Sequence, residues 1–204
     1  AAFAPVMRSH EGNRPDDNLQ YDSNAELLAC FARWSRVHAH LAPYVRHLCG
    51  EASAQGLPAQ RPLFLHFPHD PALFTVQDQF LYGADMLVAP VVEQGADARD
   101  VILPGAGVWR HVWSGVDYAP GLHRIAAPIG QPPVFYRPGS GFAALFARHG
   151  LAIDVDAPAR FVMFPEMEAG ADIADAGETQ VAGRSALIND SSEYPSCGAS
   201  KASR

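Results

Sequence analysis

The sequence contains no apolar run that approaches the roughly 20 residues of a membrane-spanning helix, and it does not open with a charged and then apolar leader. It also has no excess of basic residues, because 15 Lys and Arg face 22 Asp and Glu, a formal net charge of −7. This balance argues against binding to nucleic acid or to an anionic membrane. The sequence therefore predicts a soluble protein with neither kind of partner.

Cysteine is scarce, with three residues in a chain of 204. Cys30 and Cys49 lie on one predicted helix, where their separation corresponds to about 28 Å of rise, too far for a disulfide bond. Cys197 lies in a terminal region that is predicted to be disordered. The pattern argues against a disulfide-stabilised scaffold, and a reducing cytoplasm is the expected location.

Metal-binding patterns are also missing, although three histidines lie close together in the sequence. His38, His40 and His47 fall on one predicted helix. A spacing of two residues on a helix directs His38 and His40 to different faces, so these two side chains cannot share one ion. We expect packed or solvated histidines, and the sequence implies no cofactor.

Polar side chains are concentrated near the N terminus, directly after a short apolar segment. Residues 3–7 are typical of a buried strand, and residues 8–15 form a polar turn that contains glycine and proline. Ligands bind at the carboxyl ends of strands in α/β proteins. Arg8 and Arg14 have planar donor forks suited to an anionic or hydroxylated group, with His10 beside them. The alternative is a buried loop whose polar groups satisfy one another.

A long amphipathic helix is predicted after this turn. Ser23 and Glu26 form a capping box at its start, and Gly56 closes it. Pro43 should bend the helix rather than end it, because the apolar period continues beyond the proline. The helix is expected to pack on a sheet through an apolar stripe formed by Leu27, Phe31, Trp34, Leu41, Val45 and Leu48.

From Arg61 the pattern changes to short apolar runs separated by turns, which is typical of a small β-sandwich. The run over residues 86–92 suits a strand buried on both faces. Strand alternation places Trp109 and Trp113 on one face, where we expect inter-sheet core rather than a sugar-stacking platform. Residues 142–146 fit either a last strand or a short amphipathic turn.

Three segments carry a resemblance to a known family. The run MRSHEGNRP at 7–15 resembles the last barrel strand of glycoside hydrolase family 31, the α-glucosidase family. The run GADMLVAPV at 83–91 resembles the family's downstream signature, and IGQPPVFYR at 129–137 resembles its bacterial sulfoquinovosidase branch. The similarity extends from about Phe3 to Phe146. The sequence is therefore identified as a member of this family, closest to the sulfoquinovosidase branch.

The resemblance implies an α+β fragment. Residues 1–60 correspond to the last strand and helix of a (β/α)8 catalytic barrel, and residues 61–147 to a small antiparallel β-sandwich. Residues 148–204 are expected to form a partly disordered tail that departs from the family pattern. Because the chain begins with Ala1 and proceeds directly into a predicted strand, we expect a piece of a longer polypeptide whose N-terminal barrel portion is the missing partner.

The same resemblance implies a retaining α-glycosidase that acts on an α-glucoside or a sulfoquinovoside. Retention needs two carboxyl groups about 5 to 5.5 Å apart, and the family supplies both aspartates from preceding barrel strands, so no catalytic residue is assigned within this chain. The resemblance assigns His10 to substrate binding, with Arg8 beside it. We expect the isolated chain to be inactive. The alternative is a non-catalytic carbohydrate-binding or structural β module.

Overall fold

The computed structural model describes residues 1–9 and 18–147. Within these ranges the chain forms three helices and eight strands, joined by turns and two short 3-10 helices. The helices are α1 (Ala25–His40), α2 (Ala42–Gln55) and α3 (Ala143–Ala147). The strands are β1 (Gln60–Arg61), β2 (Phe80–Tyr82), β3 (Met86–Val88), β4 (Ala98–Leu103), β5 (Trp109–His111), β6 (Asp117–Tyr118), β7 (Gly121–Ala126) and β8 (Val134–Tyr136). None of the helices in the described ranges is long and apolar enough to cross a bilayer.

The predicted long helix is divided in two. Helix α1 ends at His40 and α2 begins at Ala42, so Leu41 alone separates them. Leu41 still donates to the carbonyl of Val37 and accepts from the amide of Val45. Pro43 has no amide hydrogen to offer the preceding turn, and the prediction of one bent helix is corrected to two helices.

The start of α1 also differs from the predicted capping box by one residue. Asn24 is the N-cap, in extended backbone conformation, and its side chain accepts a 2.8 Å hydrogen bond from the amide of Leu27. The Ser23 hydroxyl instead accepts from the amide of Gln20 at 2.7 Å. Both residue types are good N-caps, and the turn before the helix determines which one takes the position.

The strands form two antiparallel sheets. Six strands are arranged in the order β1-β2-β3-β8-β5-β6, and β4 pairs with β7 in a separate two-stranded sheet. The antiparallel character of the predicted β region is confirmed. In the central register, Leu81 lies opposite Leu87, which in turn lies opposite Phe135.

Both faces of the six-stranded sheet are buried, and this explains the continuous apolar runs in β2, β3 and β8. One face packs against α1 and α2 in a core that includes Val37, Leu41, Tyr44, Leu48, Tyr82, Met86, Val88, Val134 and Tyr136. The other face packs against the two-stranded sheet in a core that includes Leu81, Leu87, Val101, Leu103, Trp109, Ile125 and Phe135. Successive residues of each strand enter different cores. The prediction that the helical segment packs on a sheet is confirmed.

Three short segments differ from the predicted strands. Leu63–Leu65 forms a 3-10 helix rather than a strand. The apolar run at 86–92 is a strand only as far as Val88, and Pro90 cannot donate to a strand neighbour. Strand β7 was not predicted, because Ile125 is its one fully buried residue and the rest of its side chains are polar or exposed. For residues 142–146 the helical alternative is correct, since Ala143–Ala147 is a short helix.

The two tryptophans lie on different sides of the six-stranded sheet, which corrects the prediction of a shared face. Trp109 is fully buried between the sheets, and its indole nitrogen donates to the carbonyl of Pro104 at 3.1 Å. Trp113 packs beside the helical layer, edge-on to Trp34. Strand β5 ends at His111 and a turn follows, so the two-residue alternation does not extend to Trp113. A platform of two coplanar tryptophans is therefore excluded.

The N-terminal residues 1–9 form turns and bends instead of the predicted strand. Ala2 and Phe3 are buried, whereas Val6 is 73% exposed. Among the described residues no strand pairs with this segment, and a strand requires a neighbour for its backbone hydrogen bonds. The predicted tail at 148–204 lies outside the described residues.

Candidate functional site

The N-terminal segment is fixed to the fold by its backbone carbonyls. The ring of His38 lies with Nδ1 3.1 Å from the carbonyl oxygen of Ala2, and the side-chain amide of Gln60 donates to the carbonyl of Phe3 at 2.9 Å. The Phe3 ring packs edge-on against Trp34, with ring centroids 6.0 Å apart. These contacts from α1 and β1 determine where the chain enters the polar turn.

Arg8, one of the two predicted substrate-binding residues, is exposed in the described N-terminal segment. His10, the other, belongs to residues 10–17 and lies outside the described residues. The described residues therefore give no distance between the two side chains, and both assignments stay predictions. The alternative interpretation of the polar turn predicted a loop with buried polar groups, and the exposure of Arg8 differs from that prediction.

Two of the three histidines considered as metal ligands bond to the backbone instead, and His47 lies with Nε2 3.8 Å from Oε1 of Glu51. The Nδ1 atom of His38 faces the carbonyl of Ala2, and Nε2 of His40 lies 2.9 Å from the carbonyl oxygen of Leu145. These are the packed histidines of the simpler interpretation. The part of the chain that the structure describes contains no group of three His, Cys, Asp or Glu side chains arranged to hold a metal ion.

A groove of about 520 Å³ lies beside the N-terminal segment. Its walls come from that segment, from residues 19–21, from the first half of α1 and from the sheet, and its lining is mostly apolar. Such walls are suited to packing against apolar groups rather than to acid–base chemistry. The lining residues are Ala1, Ala2, Phe3, Met7, Leu19, Gln20, Tyr21, Leu27, Cys30, Phe31, Trp34, Gln60, Phe80, Val88, Pro90 and Pro132.

Four carboxylates of the described chain are already engaged by arginines. Their closest nitrogen–oxygen distances range from 2.5 to 3.4 Å. Of these carboxyls, Asp117 has its pKa lowered by the hydrogen bond from Arg110, and a carboxyl of lowered pKa is poorly suited to act as a proton donor near neutral pH. The pairs are Glu51–Arg61, Asp78–Arg99, Asp117–Arg110 and Asp100–Arg124.

The segment at 83–85 docks the β2–β3 hairpin on helix α2. The Tyr44 hydroxyl donates to the carbonyl of Tyr82 at 2.8 Å and accepts from the amide of Asp85 at 3.3 Å. Gly83 has φ of +66°, and a Cβ at this position would lie 2.1 Å from the Tyr44 hydroxyl oxygen. Burial, followed by the nearby Asp85 carboxylate, raises the pKa of Tyr44, so its hydroxyl stays protonated as a donor.

A buried arginine joins the end of α2 to the first strand. Arg61 is 1% exposed, and its guanidinium donates to the carbonyl of Pro58, to the ring of His66 and to the carboxylate of Glu51. No motif in the sequence marks this cluster. The one signal was an arginine between apolar runs, which is rarely buried unless it is paired.

The comparisons with known proteins agree with this architecture. The family model described as "Glycosyl hydrolase family 31 C-terminal domain" matches residues 56–140. A sulfoquinovosidase from Agrobacterium fabrum is 53% identical over 147 residues, and one from Escherichia coli is 48% identical over 147 residues. Each alignment covers 72% of this chain and 22% of the relative.

A solved structure shows the same fold. The family 31 sulfoquinovosidase from E. rectale, in complex with an aza-sugar inhibitor, superposes with a TM-score of 0.71 at 43% identity. The match covers 74% of this chain and 22% of that one, so the chain spans about a fifth of the length of these relatives. The resemblance seen in the sequence is confirmed: the chain belongs to glycosyl hydrolase family 31, and its residues 56–140 correspond to the C-terminal domain of that family.

Proposed function

We propose that this chain is the C-terminal part of a retaining α-glycosidase that hydrolyses the O-glycosidic bond of sulfoquinovosides. The observation that carries this proposal is the 53% identity, over 147 residues, to a relative named sulfoquinovosidase. An α-glucosidase from Bacillus thermoamyloliquefaciens is 30% identical over 145 residues. An α-glucoside is therefore the competing substrate, with weaker support.

The nucleophile and the proton donor come from polypeptide outside this chain in the proposed enzyme. A retaining mechanism requires two carboxyl groups about 5 to 5.5 Å apart on either side of the sugar. The arginine pairing of Glu51, Asp78, Asp100 and Asp117 fits this division, because these four carboxylates already have partners within the chain. The contribution of this chain is then to bind and orient the sugar.

Residues 1–60 would complete the catalytic barrel in this proposal. The N-terminal segment, which has no strand neighbour among the described residues, would pair as the last barrel strand only when the preceding barrel portion is present. His38 and Gln60 hold the segment at Ala2 and Phe3, which leads the chain toward the polar turn. His10 would hydrogen-bond sugar hydroxyls, and Arg8 would order the end of the strand. The apolar groove beside the segment would pack against the preceding barrel portion. Cys30 and Cys49 are free thiols in the structure, which fits the proposed cytoplasmic location.

The proposal is tested by joining residues 1–147 to the N-terminal portion of the Agrobacterium fabrum sulfoquinovosidase. We expect no turnover of nitrophenyl α-sulfoquinovoside or nitrophenyl α-glucoside by the 204-residue chain alone, and turnover of the sulfoquinovoside by the chimera. In the chimera, His10→Ala should lower kcat/KM by about 30-fold to 1,000-fold, the effect of removing a polar group that binds the transition state better than the ground state.

His69→Ala is the matched control, because this histidine is exposed and lies in the β region. Equal kinetics for His10→Ala and His69→Ala, in folded proteins, would contradict the assignment of His10. If the chimera prefers the α-glucoside, the proposed substrate changes to an α-glucoside and the proposed enzyme class stays the same. Turnover by the chain alone that persists after His10→Ala and repeated purification would show that this chain carries the catalytic groups.

A further inference from the structure

Three ionisable side chains meet where the helical layer joins the β region. Glu51 lies in the last part of α2, Arg61 in β1 and His66 directly after the first 3-10 helix. We name these three residues the junction cluster. Arg61 Nη2 lies 2.5 Å from Glu51 Oε2, and Arg61 Nη1 lies 3.0 Å from His66 Nε2.

This geometry requires the Nε2 atom of His66 to be without a proton. A guanidinium only donates hydrogen bonds, so the imidazole nitrogen that faces Arg61 must accept. Protonation of His66 would remove that acceptor and place a second cation beside a guanidinium that is 1% exposed. Two like charges in a buried position are costly, because little solvent screens them.

The other charged groups around His66 only partly offset the cost of protonating its ring. Arg61 faces it from β1, Glu51 from α2 and Asp85 from the β2–β3 turn. His47 lies one helical turn before Glu51, with Nε2 3.8 Å from Oε1 of that carboxylate. Burial and then Arg61 lower the pKa of His66, and the two carboxylates raise it by less.

The surroundings of the cluster favour local opening. Strand β1 has two residues, lies at the edge of the six-stranded sheet and pairs with β2 through Gln60 and Arg61. By contrast, β4 and β7 pair over six residues. Segments with few backbone partners open at lower free energy than long pairings do.

We propose that the junction cluster is an acid-sensitive contact: protonation of His66 breaks its hydrogen bond to Arg61 and places a second cation beside that guanidinium, so the Arg61 contacts that join the end of α2 to β1 loosen while the two-stranded sheet stays folded. This acid-sensitive contact does not depend on the substrate. It affects the helical layer, which carries the N-terminal segment. Its physical basis is the part-buried hydrogen bond between Arg61 and His66.

The test measures amide hydrogen exchange on the 204-residue chain at pH 7.5, 6.5 and 5.5, corrected for intrinsic exchange rates. We expect the protection of residues 51–61 to fall by up to about tenfold per pH unit below the ordinary histidine pKa, since opening takes up one proton. Protection in β4 and β7 should not change over the same range. Uniform loss across both regions would overturn the proposal.

Two variants separate His66 from other histidines. In His66→Gln the side-chain oxygen still accepts from Arg61 but cannot be protonated, so the loss of protection at residues 51–61 should disappear. In His69→Gln, at an exposed position three residues further on, the loss should stay as in the unmodified chain. An equal pH response in the two variants would contradict the role of His66.

A measurement on the unmodified chain decides the question if His66→Gln does not fold. The ring nitrogen shifts of His66, followed by NMR, give the pH at which this ring is protonated. A native-state midpoint below the ordinary histidine pKa, with protection at residues 51–61 falling as the pH drops toward it, would support the proposal. A midpoint at or above about pH 6.5 would overturn it, because protonation would then not oppose the native contact.

Discussion

The two faces of the six-stranded sheet are covered in different ways. The face toward the two-stranded sheet is closed by its own chain: Arg99 donates to the carbonyl of Asp78, and both amide atoms of Gln79 bond to the backbone of Ile102. The face toward the helices is closed at Tyr44 and Leu48, but it continues into the apolar groove, with Leu19 76% exposed beside it.

This difference distinguishes a core that the chain closes by itself from a core that is open at one edge. The inter-sheet core finds its partners within residues 61–137, and the helical side presents apolar surface that lacks cover among the described residues. The 22% coverage of the sulfoquinovosidase relatives agrees with this difference.

A large effect is expected on the helical side, at Gly83. A side chain here would meet Tyr44 and Leu48 at 2.1 and 2.5 Å while the backbone holds a positive φ. We expect Gly83→Ala to lower the free energy of unfolding by about 3 kcal/mol or more, as steric overlap and backbone strain add.

Gly56→Ala is the matched control for this comparison. Gly56 has φ of +72° and open space where a Cβ would lie, so only the backbone strain applies, about 1–2 kcal/mol. Urea denaturation of both variants gives the difference. Equal losses would mean that Tyr44 moves aside and that the helix is not docked through this glycine.

The inter-sheet side is tested by Trp109→Ala. Removing a fully buried tryptophan should cost about 3–5 kcal/mol of unfolding free energy. Trp113→Ala, at a half-buried tryptophan on the helical side, should cost less. Thermal and urea unfolding measure both. In a complete chimeric enzyme the folded Trp109→Ala protein should retain its kinetics, and a specific rise in KM for either variant at unchanged stability would place sugar binding in the β region.

The inter-sheet side should also weaken in acid through His111. This ring is buried against Phe135, its Nδ1 lies 2.9 Å from the Ser114 hydroxyl, and Nε2 has no partner in the described part of the chain. Burial lowers the pKa of His111, so the unfolded chain takes up the proton first. The full stability is present above about pH 6.5 and falls below it, by at most about 1.4 kcal/mol per pH unit.

The measurement is urea denaturation between pH 7.5 and 5.5 of the unmodified chain and of His111→Asn, which keeps a partner for Ser114. The pH dependence of global unfolding should be smaller in the variant. An unchanged slope would show that His111 does not limit the acid stability of the inter-sheet core. This global loss is distinct from local opening at residues 51–61, which hydrogen exchange detects separately.

The smallest effect is expected for Arg8→Ala in the isolated chain. A buried arginine at a strand end would leave partner groups unpaired, but Arg8 is exposed, so we expect a change within about 0.5 kcal/mol of unfolding free energy. Thermal unfolding checks this. A loss well above that value would mean that Arg8 has a structural partner. A loss of activity in the chimera without loss of stability would support its proposed place beside His10.

The elements with strong local patterns could be predicted from the sequence. Phe80–Tyr82, Met86–Val88 and Val134–Tyr136 are apolar at every position because both faces of their sheet are buried. The apolar stripe of the helical segment was predicted in the same way, because the period and the length of an apolar pattern are enough to indicate a helix that packs on a sheet. Strand β7 was missed because one buried residue gives no alternation.

The candidate site was less predictable than the fold. Arg8 and His10 were selected by their resemblance to a family motif, and a motif indicates a role without giving the contacts of each side chain. The junction cluster was missed because Glu51, Arg61 and His66 are brought together by the turn between α2 and β1. No pattern in the sequence distinguishes this buried arginine from an exposed one.

The sequence by itself determined the family, the antiparallel β character and the helical segment that precedes it, because hydrophobic periodicity and long motifs are local properties. Only the tertiary structure decided which face each side chain occupies: Trp109 and Trp113 were separated by the end of β5, and Gly83 was fixed against Tyr44 from 39 positions away. These outcomes depend on which surfaces pack together, since side-chain burial is decided by neighbours that are distant in the sequence.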